Sequence, residues 1–223
     1  MALPLQVLYC GLWLGLVFGL AELLRRRQVD GEIIRKVVHI GVGNIILLAW
    51  FLQVPRWTGI LFSVVFAGLV LVSYRVKILE SLNGVNRHSF GTFFYAVSVG
   101  ILLAVFWFPA TGMQPFAVIG ILVMTWGDAL AALVGQTWGK HPYRIGSLRK
   151  SWEGSLTMCG VSTLVVLAVL TGVWGWSVAL LPAALLVGVV AAGLEMISWS
   201  GLDNLTVPLG CGVLSYWLFK AVL

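Results

Sequence analysis

Charge is what this sequence has least of: 10% of its 223 residues are Asp, Glu, Lys or Arg, while 60% are hydrophobic. Soluble domains carry about 25% charged residues, so this composition, with a mean hydropathy of +1.01, excludes one and predicts an integral membrane protein. Cysteine is scarce as well. Cys10, Cys159 and Cys211 stand singly in apolar runs, which excludes a disulfide or metal framework. No GxxxxGK[ST] loop is present, which disfavours a soluble-type P-loop kinase. There is no internal repeat and no low-complexity tract. No basic stretch precedes the first apolar run, whereas Arg25, Arg26 and Arg27 follow it. That order fits a retained first helix better than a cleaved signal peptide.

What the chain has instead is long apolar runs. Lipid-facing backbone must satisfy its own hydrogen bonds, so runs of about 20 residues predict helices. Eight fall at 3–24, 37–53, 57–74, 92–108, 115–138, 156–173, 178–194 and 205–223. The polar stretches between them are too short for a separate soluble module. The expected fold is therefore all-α, one transmembrane catalytic domain over residues 1–223. The second run is short and the third begins just after Pro55, so these two are expected to form a tight hairpin or a re-entrant pair. Trp50, Trp57, Trp107, Trp138, Trp152, Trp174, Trp176 and Trp199 mark run ends, as interfacial aromatics do.

Basic residues set the orientation. Arg25, Arg26, Arg27, Arg35 and Lys36 follow run one; Arg75, Lys77 and Arg87 follow run three; Lys140, Arg144, Arg149 and Lys150 follow run five. Only Arg56 and Lys220 lie opposite. Those loops are predicted to be cytoplasmic and both termini to face away. The acids Glu22, Asp30, Glu32, Glu80, Asp128, Glu153, Glu195 and Asp203 fall on the same side, so one membrane face holds the chemistry. The net charge of +6 needs no nucleic acid to explain it; topology and attraction to anionic lipid headgroups suffice.

Asp128 is the anomaly. It sits in "MTWGDALAALVGQTWGK", about ten residues from the end of its run and so roughly 15 Å deep at helical rise. There a carboxylate costs on the order of 2.5–3.5 kcal/mol, which marks it as a functional candidate. Its Lys and Arg neighbours are expected in loops, short of its depth. Beyond it, "GKHPYRIGSLRKSWEGS" brings Lys140, Arg144, Arg149 and Lys150 to the same surface, with Gly127, Gly135, Gly139 and Gly154 allowing close approach. A carboxylate able to hold Mg²⁺ beside several cations is what a nucleoside triphosphate requires. Gly135 and Gly139 also have the spacing of ordinary membrane-helix packing.

Two further polar islands lie on that side. In "EIIRKVVHIG", Arg35 and His39 are four apart and share a helix face, with Lys36 beside them. In "LEMISWSGLDNLTVPLG", Glu195 closes run seven and Asp203 and Asn204 open run eight. Asn204 suits a helix cap as well as a nucleotide contact. "VNRHSFGT" adds Arg87, His88 and Gly91, equally readable as a solvated loop.

"RKVVH", then "GDALAALVGQTWGK" with "RKSWEGS", then "DNLTVPL" together resemble the polyprenol kinase family of membrane enzymes, over about residues 22–209. The central motif is also similar to the CTP:phosphatidate cytidylyltransferases. Those are expected to end in a long signature rich in Lys, Asp and Gly-Gly before a further Asp. Nothing like it follows Glu195, and "DNLTVPL" looks like the kinases.

The resemblance implies transfer of the terminal phosphate of a nucleoside triphosphate, CTP first, to the primary hydroxyl of an isoprenoid alcohol. The compact chain is more similar to phytol kinases, so phytol or geranylgeraniol is the expected acceptor, with tocopherol or chlorophyll precursors downstream. The resemblance places Asp128 and Asp203 on Mg²⁺, and Arg35, Lys36 and Lys150 on phosphates. Glu153 would orient Lys150 or the nucleotide, and Asn204 would make a polar contact. Gly135, Lys140, Arg149 and Ser151 complete the nucleotide site. The hydroxyl proton has three candidate acceptors, Asp128, His39 and Glu195. The alternative is a CTP-dependent cytidylyltransferase acting on a phospholipid. A transporter should line both halves of the membrane with polar groups, and the outer half has few. Oligomeric state stays open.

Overall fold

A computed structural model describes residues 1–76, 90–146 and 148–222. Lys77, Glu80 and Arg87, assigned above to the basic or acidic face, and His88 of the "VNRHSFGT" segment lie outside the described residues. The helices are α1 (Leu3–Arg26), α2 (Gly31–Gly43), α3 (Ile45–Phe51), α4 (Arg56–Val76) and α5 (Gly91–Phe106), then α6 (Gln114–Leu122) and α7 (Ala129–Trp138). A hairpin of β1 (Pro142–Ile145) and β2 (Leu148–Ser151) leads into α8 (Trp152–Trp174), α9 (Leu180–Met196) and α10 (Asp203–Val222). Two pairs run on as single rods: α2 and α3 through Asn44, and α6 and α7 through a π-helical turn, Val123–Asp128. Eight apolar rods result among the described residues. Five are long and apolar enough to cross a membrane: α1, α2–α3, α4, α6–α7 and α8. The other three are α5, α9 and α10, and the all-α polytopic expectation holds.

Three helix starts differ from expectation, two of them through side-chain caps. Asp30 accepts the Glu32 amide at 2.8 Å and starts α2 at Gly31, six residues before the expected 37. Arg35 and Lys36 are therefore helical rather than in a loop. Ser151 accepts the Gly154 amide at 3.2 Å and starts α8 at Trp152, which draws Glu153 into its first turn. The last helix begins at Asp203 rather than 205. With its extra turns the α2–α3 rod is 21 residues long and needs no re-entrant geometry. It packs along α1, while α4 packs along α5.

The α6–α7 rod is the centre, in contact with α2, α3, α5, α8 and α10. Ala117, Val118, Ile119, Val123, Met124 and Thr125 are fully enclosed. Lipid tails are as apolar as leucine, so membrane helices associate through close packing and polar contacts. Gly120 shows the first. A methyl group there would stand 2.4 Å from the Pro208 carbonyl oxygen of α10. Gly188 does the same for α9, where a methyl would meet the Cys159 carbonyl oxygen of α8 at 2.5 Å.

The hairpin was not expected. It is antiparallel, pairs Tyr143 with Lys150 and Arg144 with Arg149, and turns through Gly146 at a φ of 57°. Like charges opposite one another cost energy, and here both guanidinium groups are exposed to water. The hairpin emerges at the same end of the bundle as residues 27–30 and 197–202.

Candidate active site

Asp128 is the last residue of the π-helical turn, a local widening of the helix that recurs at functional sites. The turn is held from inside: Thr125 donates its one hydroxyl proton to the Ile121 carbonyl at 2.7 Å, so the Tyr95 hydroxyl of α5 donates to Thr125 Oγ1, 2.9 Å away. On the α2 side Gly43 abuts Thr125 so closely that a methyl would sit 2.0 Å from its Oγ1. Trp126 Nε1 donates to the Asn44 amide oxygen at 3.0 Å.

These contacts bring α2 against Asp128. Lys36 Nζ lies 2.6 Å from Asp128 Oδ2, and the lysine side chain is only 5% exposed. The expectation that cations near Asp128 stay in loops is thus corrected: the Asp30 cap puts Lys36 on the helix, where its long stem reaches the carboxylate. His39, one turn on, places Nε2 at 3.3 Å from the Met124 carbonyl and 3.9 Å from Asp128 Oδ2. Its ring lies 5.3 Å from that of Tyr95. Arg35 instead pairs with Glu32, Nε to Oε2 at 3.0 Å, near the surface, and Gln136 of α7 also reaches Glu32.

Above Asp128 opens a cleft of about 390 Å³ between α7, β2, the start of α8 and the end of α9. Ala131, Ala132 and Gly135 line it from α7, on the helix face that carries Asp128 one turn deeper. Arg149, Lys150 and Ser151 line it from β2 and Glu195 from α9. Gly135, Gly139 and Gly154 serve the close crossing at its wall. A methyl at Gly135 would stand 3.0 Å from Ser151 Oγ, and one at Gly154 3.0 Å from the Ala131 carbonyl.

Lys150 crosses the cleft head to Glu195, donating both to its carboxylate and to its backbone carbonyl. Glu153 is therefore not the group that orients Lys150. Its carboxylate accepts the Lys140 and His141 amides at 3.1 Å each and meets His141 Nδ1 at 2.6 Å, because the cap at Ser151 turns it towards residues 140–141. The Trp152 amide donates to the His141 carbonyl at 3.1 Å, so this contact closes the base of the hairpin. On α10, Asp203 Oδ1 accepts the Asn204 amide at 3.1 Å and its side-chain nitrogen at 3.2 Å. Asn204 lies inside the first turn and Asp203 opens the helix, so Asn204 is not the cap. The charges of Asp128, Glu195 and Asp203 act on one another, and Arg35 and Lys150 act on Asp203.

Among the described residues no three His, Cys, Asp or Glu side chains converge as a metal cage. Asp128 and Asp203 each commit one carboxylate oxygen to the contacts above, and no hydrogen bond engages the other among the described residues. That donor set fits Mg²⁺ arriving with a nucleotide, since this ion is held by one or two carboxylates plus phosphates and water.

The model of the cytidylyltransferase family matches residues 2–197. The chain is 48% identical to the phytol kinase of Synechocystis sp. over 219 residues, 97% of this chain and 93% of that one. It belongs to the polyprenol kinase family. More distant members are the chloroplastic farnesol kinase of Arabidopsis thaliana, 27% identical over 89% of this chain and 69% of that one, and its chloroplastic phytol kinase 1, 25% identical over 92% and 72%. No solved structure matches. The family-model match stops at residue 197, before the Asp203–Asn204 pair at the start of α10.

Some of its site was invisible to sequence reasoning. Glu195 as the partner of Lys150, Tyr95 and Thr125 as braces of the π-helical turn, and His141 as the partner of Glu153 are tertiary pairings. Only an acid ahead of an apolar run, Asp30, could have shown that Lys36 is helical.

Proposed function

We propose that this prenol kinase transfers the γ-phosphate of CTP, carried with Mg²⁺, to the primary hydroxyl of phytol or geranylgeraniol at the cytoplasmic face of its membrane. The observation that carries the reading is the cleft, lined by Arg149 and Lys150 and walled by Ala131, Ala132 and Gly135 on the α7 face that carries Asp128, paired with Lys36, one turn deeper. A polyanion approaches from water and an alcohol from the bilayer, and the two meet at the depth of the buried carboxylate. The distribution of basic residues supports a cytoplasmic location for this end, with both termini opposite. The whole chain acts as one catalytic domain.

Phosphoryl transfer asks chiefly for positioning and charge neutralisation. Lys36, Arg35 and Lys150 supply cations, with Arg149, Lys140 and Ser151 at the rim, and Gly135 keeps α7 close against Ser151 and Gly154 in the wall of the nucleotide site. Asp128 and Asp203 would hold Mg²⁺, which would supply positive charge to offset that of the transferred group. The bond between the β–γ bridging oxygen and the γ-phosphorus breaks, a new one forms to the alcohol oxygen, and CDP leaves. The hydroxyl proton is taken up at Asp128 or His39, the groups at its depth. Lys36 gives Asp128 a counter-charge while the site is empty, which lowers the cost of keeping a carboxylate in the membrane.

The cytidylyltransferase family match gives a second reading, formation of a CDP-lipid with loss of pyrophosphate. The test uses purified protein with Mg²⁺, phytol and CTP labelled at either the γ-phosphate or the cytidine, with phosphatidate and ATP in parallel. γ-Label in phytyl phosphate is expected. Cytidine label in lipid overturns the kinase reading.

A further inference from the structure

We propose that Glu195 is the positioning residue of the nucleotide site, holding Lys150 in a fixed attitude towards the phosphates. This rests on the reading of the cleft as the nucleotide site and gives Glu195 a part other than proton acceptor.

A lysine ammonium carries three donors on a flexible stem and loses rotamer entropy when fixed. Lys150 spends two of its donors on one residue, the Glu195 carboxylate and the Glu195 carbonyl. One donor remains for a ligand in the cleft that both residues line. The carbonyl belongs to the last turn of α9, the negative end of a 17-residue helix, which favours a cation. Both side chains are largely buried, at 19% and 15% exposure, so water competes little for either.

The platforms beneath the pair are locked together. β2 runs directly into α8, and α9 lies against α8 at Gly188, where a methyl would stand 2.2 Å from Thr163 Oγ1. Movement of Lys150 relative to Glu195 therefore needs the stem to swing, and the carboxylate prevents that. Replacing Glu195 leaves the cation in the protein but frees its direction, so the loss appears in nucleotide binding.

The experiment measures Mg²⁺–CTP binding by calorimetry and steady-state KM for CTP and for phytol, with thermal melting in detergent as the folding check. Glu195→Ala is expected to weaken CTP binding and raise its KM by roughly 10-fold to 100-fold, as for loss of a charge-assisted hydrogen bond. The KM for phytol should stay within about twofold, and Glu195→Gln, which keeps an oxygen acceptor, should fall between. In a Lys150→Ala background Glu195→Ala should add almost nothing, because two residues acting through one contact are not additive. Equal losses in both backgrounds, or unchanged CTP binding in a folded Glu195→Gln protein, overturn the proposal. If the wild-type protein binds CTP but forms no prenyl phosphate, the kinase reading fails, and the binding comparison still decides the role of Glu195.

Discussion

The first helix and the central rod share a mean hydropathy of 2.0 over their most apolar stretch, yet 6% of that stretch is buried in α1 and 67% in α6–α7. Both also carry spaced glycines. Gly11, Gly15 and Gly19 of α1 have nothing within 4 Å of a would-be methyl, whereas Gly120, Gly127 and Gly135 meet neighbours at 2.4, 2.6 and 3.0 Å. Apolarity therefore does not choose the interior of this bundle. In lipid it has no reason to, since leaving the bilayer gains an apolar side chain little. The central rod is chosen by backbone contact at its glycines and by polar groups that only other helices can satisfy. Thr125 and Asp128, deep in the rod, find partners on α5 and α2, whereas the middle of α1 offers α2 a single exposed indole N–H, that of Trp13, which donates to the Gly41 carbonyl.

The sharpest way to break the comparison is to remove the charge that sets the central rod apart. Asp128→Asn leaves Lys36 buried without its counter-charge, an imbalance worth about 3–5 kcal/mol, and removes the proposed metal ligand. Both melting temperature and turnover should fall, turnover below about 1% of wild type. Lys36→Met with Asp128→Leu should restore most of the stability, since an apolar pair can replace a buried ion pair, and none of the turnover. A double variant with wild-type kcat would reduce the pair to a structural role.

Next comes Gly120→Ala. Its new methyl would meet the Pro208 carbonyl, backbone that cannot swing aside, so a loss of about 1–3 kcal/mol is expected. Equilibrium unfolding in mixed micelles measures it, and an unchanged midpoint would show that α10 can shift away from the rod.

The eight rods were readable because membrane spans announce themselves by length and apolarity, and Asp128 was readable because a charge in such a run is costly. Partners were not. Lys36 and Asp128 stand 92 positions apart and Lys150 and Glu195 45 apart, and no local spacing encodes either pairing. A run that begins at Val37 leaves Lys36 outside it, whereas the Asp30 cap, seven residues earlier, starts the helix at Gly31. The hairpin was hidden for the opposite reason: "YRIGSLRK" has turn chemistry at Gly146 but too little apolar alternation to signal strands. The resemblance implies that Glu153 orients Lys150 or the nucleotide, but although the two residues are three apart in sequence they do not pair. Strand and helix meet between them at Ser151, and the carboxylate turns away.

That turn sets a smaller expectation. Glu153→Ala should loosen residues 140–141 from the start of α8 and raise the KM for CTP modestly, leaving the KM for phytol unchanged. Glu153→Gln should recover part of the effect, because an amide oxygen still accepts the two backbone amides. Loss of kcat with no change in nucleotide KM would return Glu153 to the chemistry itself.

The smallest effect is expected on the other side of the comparison, at Gly15→Ala. The methyl meets nothing within 4 Å, so no packing is lost. Alanine is a better helix former than glycine by about 0.8–1.0 kcal/mol in water, and within a bilayer, where the helix forms in any case, less of that difference survives. A melting midpoint equal to or slightly above wild type is expected, with unaltered turnover. A clear loss of stability at Gly15, comparable to that at Gly120, would mean that the open face of α1 is covered in the membrane by something other than lipid. Equal hydropathy would then go with equal burial, and the contrast between the two rods would be confined to the isolated chain.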